Sequence, residues 1–510
     1  MNSIENKHLS FESGDHIRKF AVLTFMRGGL VSVGITLIAG LLAAFYSIPV
    51  LAPFFQSLGI DLRQLRPIHT TFASAWMFLG GQAVVHRYLM DCAGAITKGD
   101  RLRLRVQVWC WLLAGLGILL TLMFRVGSGR EYLGFHPSFS ALILIGWFCY
   151  AWNFFRVVSS GFWSRPVYVT MWGVGTVFFV YTFLEQHAYL IPAIWSDPIL
   201  DMRIQWKATG TLVGSFNLFV YGSVIYIGER ISGDSRYGHS KTAYALFGVG
   251  LLNSFTNFAH HSYHLPQSSL VKWIAFVVSM LEIIIFLRVV SDLWILVQQK
   301  NGEFEATKVS FGAAKFCTAA IVGSAILISI PPLNSIIHGT YVVSGHAMGA
   351  MIGIDTMILF GALIWILAEA FGAVGGTKEL KQLRSKYLYW SMVGLNVSVA
   401  LLVGWLHLSG FMTGLFRLRF APEEVYIAPA WLDSSNAIMF AATGVLCFGF
   451  FVAVLKILCP LAFNKQIVRI SQDLDEGSRL YVRYKIKGGI KWPKNQGSFA
   501  TCLIRVKRCA

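Results

Sequence analysis

Twelve apolar runs of about 20 residues, separated by short polar loops, constrain this chain more than any other feature. They lie near 28–52, 68–90, 105–124, 138–156, 167–187, 206–228, 241–263, 270–297, 311–331, 341–370, 387–415 and 434–462. Inside a bilayer every backbone N–H and C=O must find its partner within the chain, so runs of this length become helices. The expected fold class is all-α, a twelve-helix membrane bundle. Composition agrees: 55% of residues are hydrophobic and 13% are charged, about half the charged share of a soluble domain. A soluble globular enzyme, a disordered chain and a fibrous one are excluded on that count.

Charge sets the expected orientation. Loops after even-numbered runs carry sixteen Lys and Arg and those after odd-numbered runs carry eight. The excess belongs on the cytoplasmic side, which places both termini there, in a bacterial-type inner membrane. Residues 1–27 are polar and mixed in charge, so the first run is expected to be its own insertion signal. The expected organisation is a cytoplasmic segment 1–27, a membrane domain 28–462 and a basic tail 463–510. The tail holds eleven Lys and Arg against three Asp and Glu. That suits anionic lipid heads on the cytoplasmic face better than nucleic acid, because the remaining basic residues are scattered through short loops. The eight cysteines form neither CxxC nor CxxCH, so no disulfide framework, zinc ribbon or covalently attached heme is expected.

Polar side chains at membrane depth are costly and need a partner or a task. His69, His260, His261, His338, His346 and His407 fall within or at the ends of the runs. A lone histidine such as His407 is commonly a hydrogen-bonded packing residue. The adjacent pair His260–His261 is harder to dismiss, since both imidazoles, about 100° apart on a helix, can converge on one ion. His346 and Met348 are two residues apart and point to nearly opposite sides of a helix, so one helix can present a ligand to each of two cofactors.

Taken together, four segments resemble the catalytic subunit I of the heme-copper oxidase superfamily, nearest the nitric oxide reductase and cbb-type oxidase branch. They are RPIHTTFASAWMFLGG (66–81), WKATGTLVGSFNLFVYGSVIYIGERISGD (206–234), NFAHHSYHLP (257–266) and HGTYVVSGHAMGAMIG (338–353). The resemblance implies two b-type hemes: a low-spin heme on His69 and Met348, and a high-spin heme on His346. It implies a non-heme iron or copper on His260 and His261, and a proton-handling Glu282 within VSMLEIIIF (278–286). His346 and Glu282 are the implied catalytic residues.

The chain also departs from that family. Trp206 is kept, but Thr209 stands where the family has a third metal-ligand histidine. Val213 and Asn217 stand where nitric oxide reductases have glutamates. The three share one helix face, and no histidine occurs in 188–238. Thr209, Asn217, Tyr263, His264 or water are candidates to complete the shell. Met348 replaces the family's second low-spin histidine. The implied function is reduction of a small diatomic, NO to nitrous oxide or oxygen to water, with electrons from a cytochrome c subunit, a quinol or another donor. A divergent heme protein of the same fold with altered catalysis (NO dismutation, sensing or electron transfer) is an alternative. A secondary transporter is another, although it leaves the histidines unexplained.

Overall fold

The structure, a computed structural model, describes residues 16–92, 96–256, 263, 266–299, 305–373, 375–420 and 430–464. Of the two units into which the chain divides, only Met1–Asn464 contains described residues, and the second, Lys465–Ala510, falls outside them. The first is helical, with an isolated β-bridge between Gly127 and Phe135.

Each apolar run overlaps one long helix: α1 His16–Tyr46, α2 Leu62–Cys92, α3 Lys98–Met123, α4 Ser138–Val158, α5 Val167–Gln186, α6 Pro198–Ser232, α7 Lys241–Thr256, α8 Ser269–Gln298, α9 Glu305–Ser329, α10 Tyr341–Ala373, α11 Lys386–Phe420 and α12 Ala430–Ala462. Ten are long and apolar enough to cross a membrane. The other two are α2, which carries His69, Thr70, Thr71, Gln82, His86 and Arg87, and α7, of which 16 residues are described.

Burial sorts these helices into a centre and a rim. In α6 and α10, 83% of the apolar stretch is buried, against 22% in α3 and α8. On α2 every residue from Gly80 to Met90 is buried. These three helices pack on one another; α5, 72% buried, packs on α6, and α1 lies against α12. The rim helices turn large apolar side chains outward, as with Trp109, Trp152 and Ile284. In a bilayer that apolar exposure is the solvated state.

The loop-charge reading needs one correction. Arg87 and Arg230 count as loop charges in sequence, yet Arg87 is fully buried and Arg230 nearly so. Their guanidiniums meet Asp91 and Glu369 at one end of α2, α6 and α10, and both lie over the Trp365 ring. Tyr226 donates to Asp91 at 3.0 Å. A buried cation in a low-dielectric core persists only with such partners, so two arginines and two carboxylates form a neutral knot. Arg288 and Asp292 pair, at 3.0 Å, as their i, i+4 spacing anticipates.

Candidate functional site

His69 lies in the second turn of α2, half-buried against α1. Its Nδ1 is 2.9 Å from the Thr36 carbonyl oxygen, and the Thr36 hydroxyl donates back to the His69 carbonyl at 3.4 Å. An imidazole that donates through Nδ1 leaves the Nε2 lone pair for a ligand. The ring fits because position 40 is glycine: a Cβ there would sit 2.7 Å from His69 Nδ1.

His346 on α10 is also held at Nδ1, which is 3.3 Å from the Ser324 hydroxyl of α9; a hydroxyl can donate or accept, so either tautomer of the ring makes this contact. His346 and Met348 are both half-buried, in the α-helical stretch Tyr341–Met348. A π-helical segment, Gly349–Thr356, follows at once; there Thr356 donates to the Met351 carbonyl five residues back, at 2.7 Å. Such wide turns occur often at functional sites. Thr356 also accepts from Trp76 of α2 at 3.1 Å, so the segment is tied to the helix that carries His69. Asp355 is buried within it.

On α6, Thr209, Val213 and Asn217 share a face as expected, and Thr209 is buried. Its hydroxyl accepts from Gln186 Nε2 of α5 at 3.0 Å, while Gln186 Oε1 is buried with no partner. His260, His261 and His264 lie outside the described residues. Tyr263 does not: its hydroxyl is within 2.9 Å of the Lys272 carbonyl and 3.0 Å of that of Ser329. Tyr263 is thereby tied to α8 and α9, with its hydroxyl turned to backbone carbonyls. Among the described residues no three His, Cys, Asp or Glu side chains converge on a metal-sized site.

Glu282 is buried on α8 and reaches α7, where Asn253 Nδ2 donates to its Oε2. Asn253 Oδ1 in turn accepts from Ser279 at 2.9 Å. Of the other intramembrane charges, Lys207 is bound by both Glu185 oxygens, at 2.6 and 2.7 Å, and Lys315 lies over Trp294. Arg417 donates to the His338 carbonyl at 2.8 Å.

The residues fit a planar prosthetic group with imidazole ligands. His69 and His346 both keep Nδ1 engaged. Buried polar atoms without partners gather on α11 and α12: Trp405 Nε1, His407 Nε2, Ser409 Oγ and both polar atoms of Asn436. α11 packs on the stretch of α10 that carries His346, and α12 packs on α1, against which His69 rests; a group with polar substituents bound there would satisfy such atoms. The third metal-ligand position fits less well: it carries a hydroxyl in place of an imidazole, and that hydroxyl accepts from Gln186.

Sequence reading missed Thr36, Ser324, Asn253 and Gln186. Each acts through a partner distant in the chain, and no local pattern marks it.

The cytochrome c and quinol oxidase polypeptide I family matches residues 20–451. The chain belongs to that family. It is an integral membrane protein of the heme-copper oxidase superfamily. Cytochrome c oxidase subunit 1 of Alkalihalophilus pseudofirmus is 21% identical over 296 residues, 57% of this chain and 44% of that protein. Cytochrome c oxidase polypeptide 1 of Halobacterium salinarum is 26% identical over 216 residues, 42% and 35% of the two chains. Both matches span less than half of the relative. A nitric oxide reductase subunit of Stutzerimonas stutzeri is 18% identical over 418 residues, 78% of this chain and 84% of that one. A solved heme-copper terminal oxidase dimer superimposes with a TM-score of 0.64 at 14% identity, covering 96% of this chain and 97% of its own. That likeness concerns the fold alone.

Proposed function

We propose that this chain is the heme-bearing oxidoreductase subunit of a membrane enzyme that reduces a small diatomic, NO or oxygen, with electrons from a cytochrome c or quinol donor. The observation that carries this reading is the pair His69–Thr36 and His346–Ser324, each with Nδ1 engaged, on the two helices where the family resemblance has heme ligands. Bound b-type hemes would supply the electron-transfer and diatomic-binding chemistry. The protein residues hold and orient them: His69 and Met348 toward one, His346 toward the other. A non-heme iron or copper would rest on His260 and His261.

Two NO, two electrons and two protons give nitrous oxide and water; oxygen takes four of each to two waters. Either reaction requires protons inside an apolar bundle. Glu282, held by Asn253 and that by Ser279, is the group we assign to hold and pass them.

A second reading has a specific observation behind it. A Thr209 hydroxyl that accepts from Gln186 stands where the family has a third imidazole, so His260 and His261 would hold the non-heme metal without a histidine from α6, and the site departs from the usual chemistry of either branch. Optical and EPR spectra of the purified protein with metal analysis test both readings. Two b-type hemes plus one iron or copper are expected, with NO and oxygen consumption assayed separately. Absence of heme from protein purified from heme-replete cells would overturn both readings. Hemes with no turnover of either gas would favour the second.

A further inference from the structure

The antiparallel pair α11–α12 carries an apolar groove of about 570 Å³ on its bilayer-facing side. Tyr387, Trp390, Val445, Leu446 and Gly449 line it, and Lys386 stands at one end. Gly449 forms a notch in the wall: a Cβ placed there meets nothing within 4 Å.

Gly394 packs directly on the Phe450 ring, which fixes the register of the two helices. Lys386 lies eight residues before Gly394, and Lys456 lies six after Phe450. At 1.5 Å per residue they stand about 12 and 9 Å toward the same end of the pair. Both side chains are exposed, and among the described residues neither amine has an ion-pair partner. The short helix Thr377–Leu383 and the turn after it add exposed Lys378, Lys381 and Arg384 against one acid, Glu379. Tyr387 and Trp390, 55% and 62% exposed, sit just inside this basic rim, where interfacial aromatics belong.

We propose that an anionic phospholipid docks in this groove, one acyl chain along Trp390, Leu446 and Gly449 and its phosphate between Lys386 and Lys456. The groove runs from the basic rim into the apolar span, as a lipid does. Two ammonium groups at one level suit a phosphate diester with net negative charge, and a zwitterionic head would bring its own cation against them.

The test uses the full chain, purified in detergent and washed free of lipid. It is mixed with dioleoyl phosphatidylglycerol or dioleoyl phosphatidylcholine and examined by native mass spectrometry. Wild type should retain the glycerol lipid in preference to the choline lipid by about 30-fold, as expected for two basic groups at roughly 1 kcal/mol each. K386Q/K456Q should abolish that preference, K386R/K456R should keep it, and R101Q/R105Q, far along the chain on α3, should leave it unchanged. G449L fills open space without a clash, so the protein should fold and retain neither lipid. Equal retention of both lipids by wild type, an unchanged preference in K386Q/K456Q, or undiminished lipid in G449L overturns the proposal. The glycine variant decides the matter should the lysine variants fail to fold.

Discussion

Arg87 of α2 grips Glu369 of α10 at two points, Nε to Oε2 at 2.7 Å and Nη2 to Oε1 at 2.6 Å. A planar guanidinium matches a carboxylate in this two-point geometry and a lysine cannot. The same guanidinium reaches Asp91 at 2.7 Å, and Arg230 of α6 completes the cluster at 3.0 Å from Glu369. The three central helices are thereby clamped at the end opposite His69.

Removing one partner leaves a buried charge uncompensated. Arg87→Ala should destabilise the bundle by about 3–5 kcal/mol, read as a lower midpoint of thermal unfolding in detergent. Removing Arg87 and Glu369 together leaves Arg230 facing Asp91, so the double variant should be less destabilised than the sum of the singles. Additivity of the two would show that the ion pair contributes no coupling.

Ten of the twelve runs coincide with helices long and apolar enough to cross a membrane, because membrane crossing is a property of local composition; α2 and α7 are helical but fall short of that measure among the described residues. The central position of α2, α6 and α10 was not legible. It depends on which helix face meets which, and α6 and α10 are no more hydrophobic than the rim. Arg87 illustrates the limit: in sequence it is a cation near the end of a span, the mark of a loop, and only Glu369, 282 residues away, makes it a core residue. His69 and His346 stood out because a histidine in an apolar run is rare. Thr36 and Ser324 did not, since hydroxyls are common in helices.

Gly40 offers a steric test of the His69 proposal. Gly40→Ala would place a methyl 2.7 Å from His69 Nδ1 and displace the ring. Heme content should fall from two toward one per chain, with loss of the low-spin optical and EPR signals. His69→Ala should do the same more completely. A low-spin signal that persists in His69→Ala would remove His69 from the ligand set.

Glu282 and Asn253 should behave as a unit. If Glu282 handles the protons of turnover, Glu282→Gln should lower turnover about 10²-fold or more, within the usual range for a lost acid–base group, while the heme spectrum stays unchanged. Asn253→Leu takes the amide donor from Glu282 and the acceptor from Ser279, and should lower turnover less. The effects of the two substitutions should not add, because each disables the same chain. Full activity in Glu282→Gln would exclude the relay.

Gln82 and Gln107 make a polar contact deep in the bundle. Both are fully buried, and Gln107 Nε2 donates to Gln82 Oε1 at 2.9 Å. Gln82 Nε2 and Gln107 Oε1 have no partner. Turning one amide alone sets like atoms together, and turning both reverses the bond, so this contact by itself always leaves one amide nitrogen and one amide oxygen over. Leucine at one position strands the other amide and should cost about 1–3 kcal/mol. Leucine at both removes every unpaired atom and leaves a dry contact of similar shape, so the double variant should lie close to wild type in thermal unfolding. If the double variant instead loses as much as the two singles combined, the amides have partners beyond each other, and the contact is a hydrated polar site that the bundle needs.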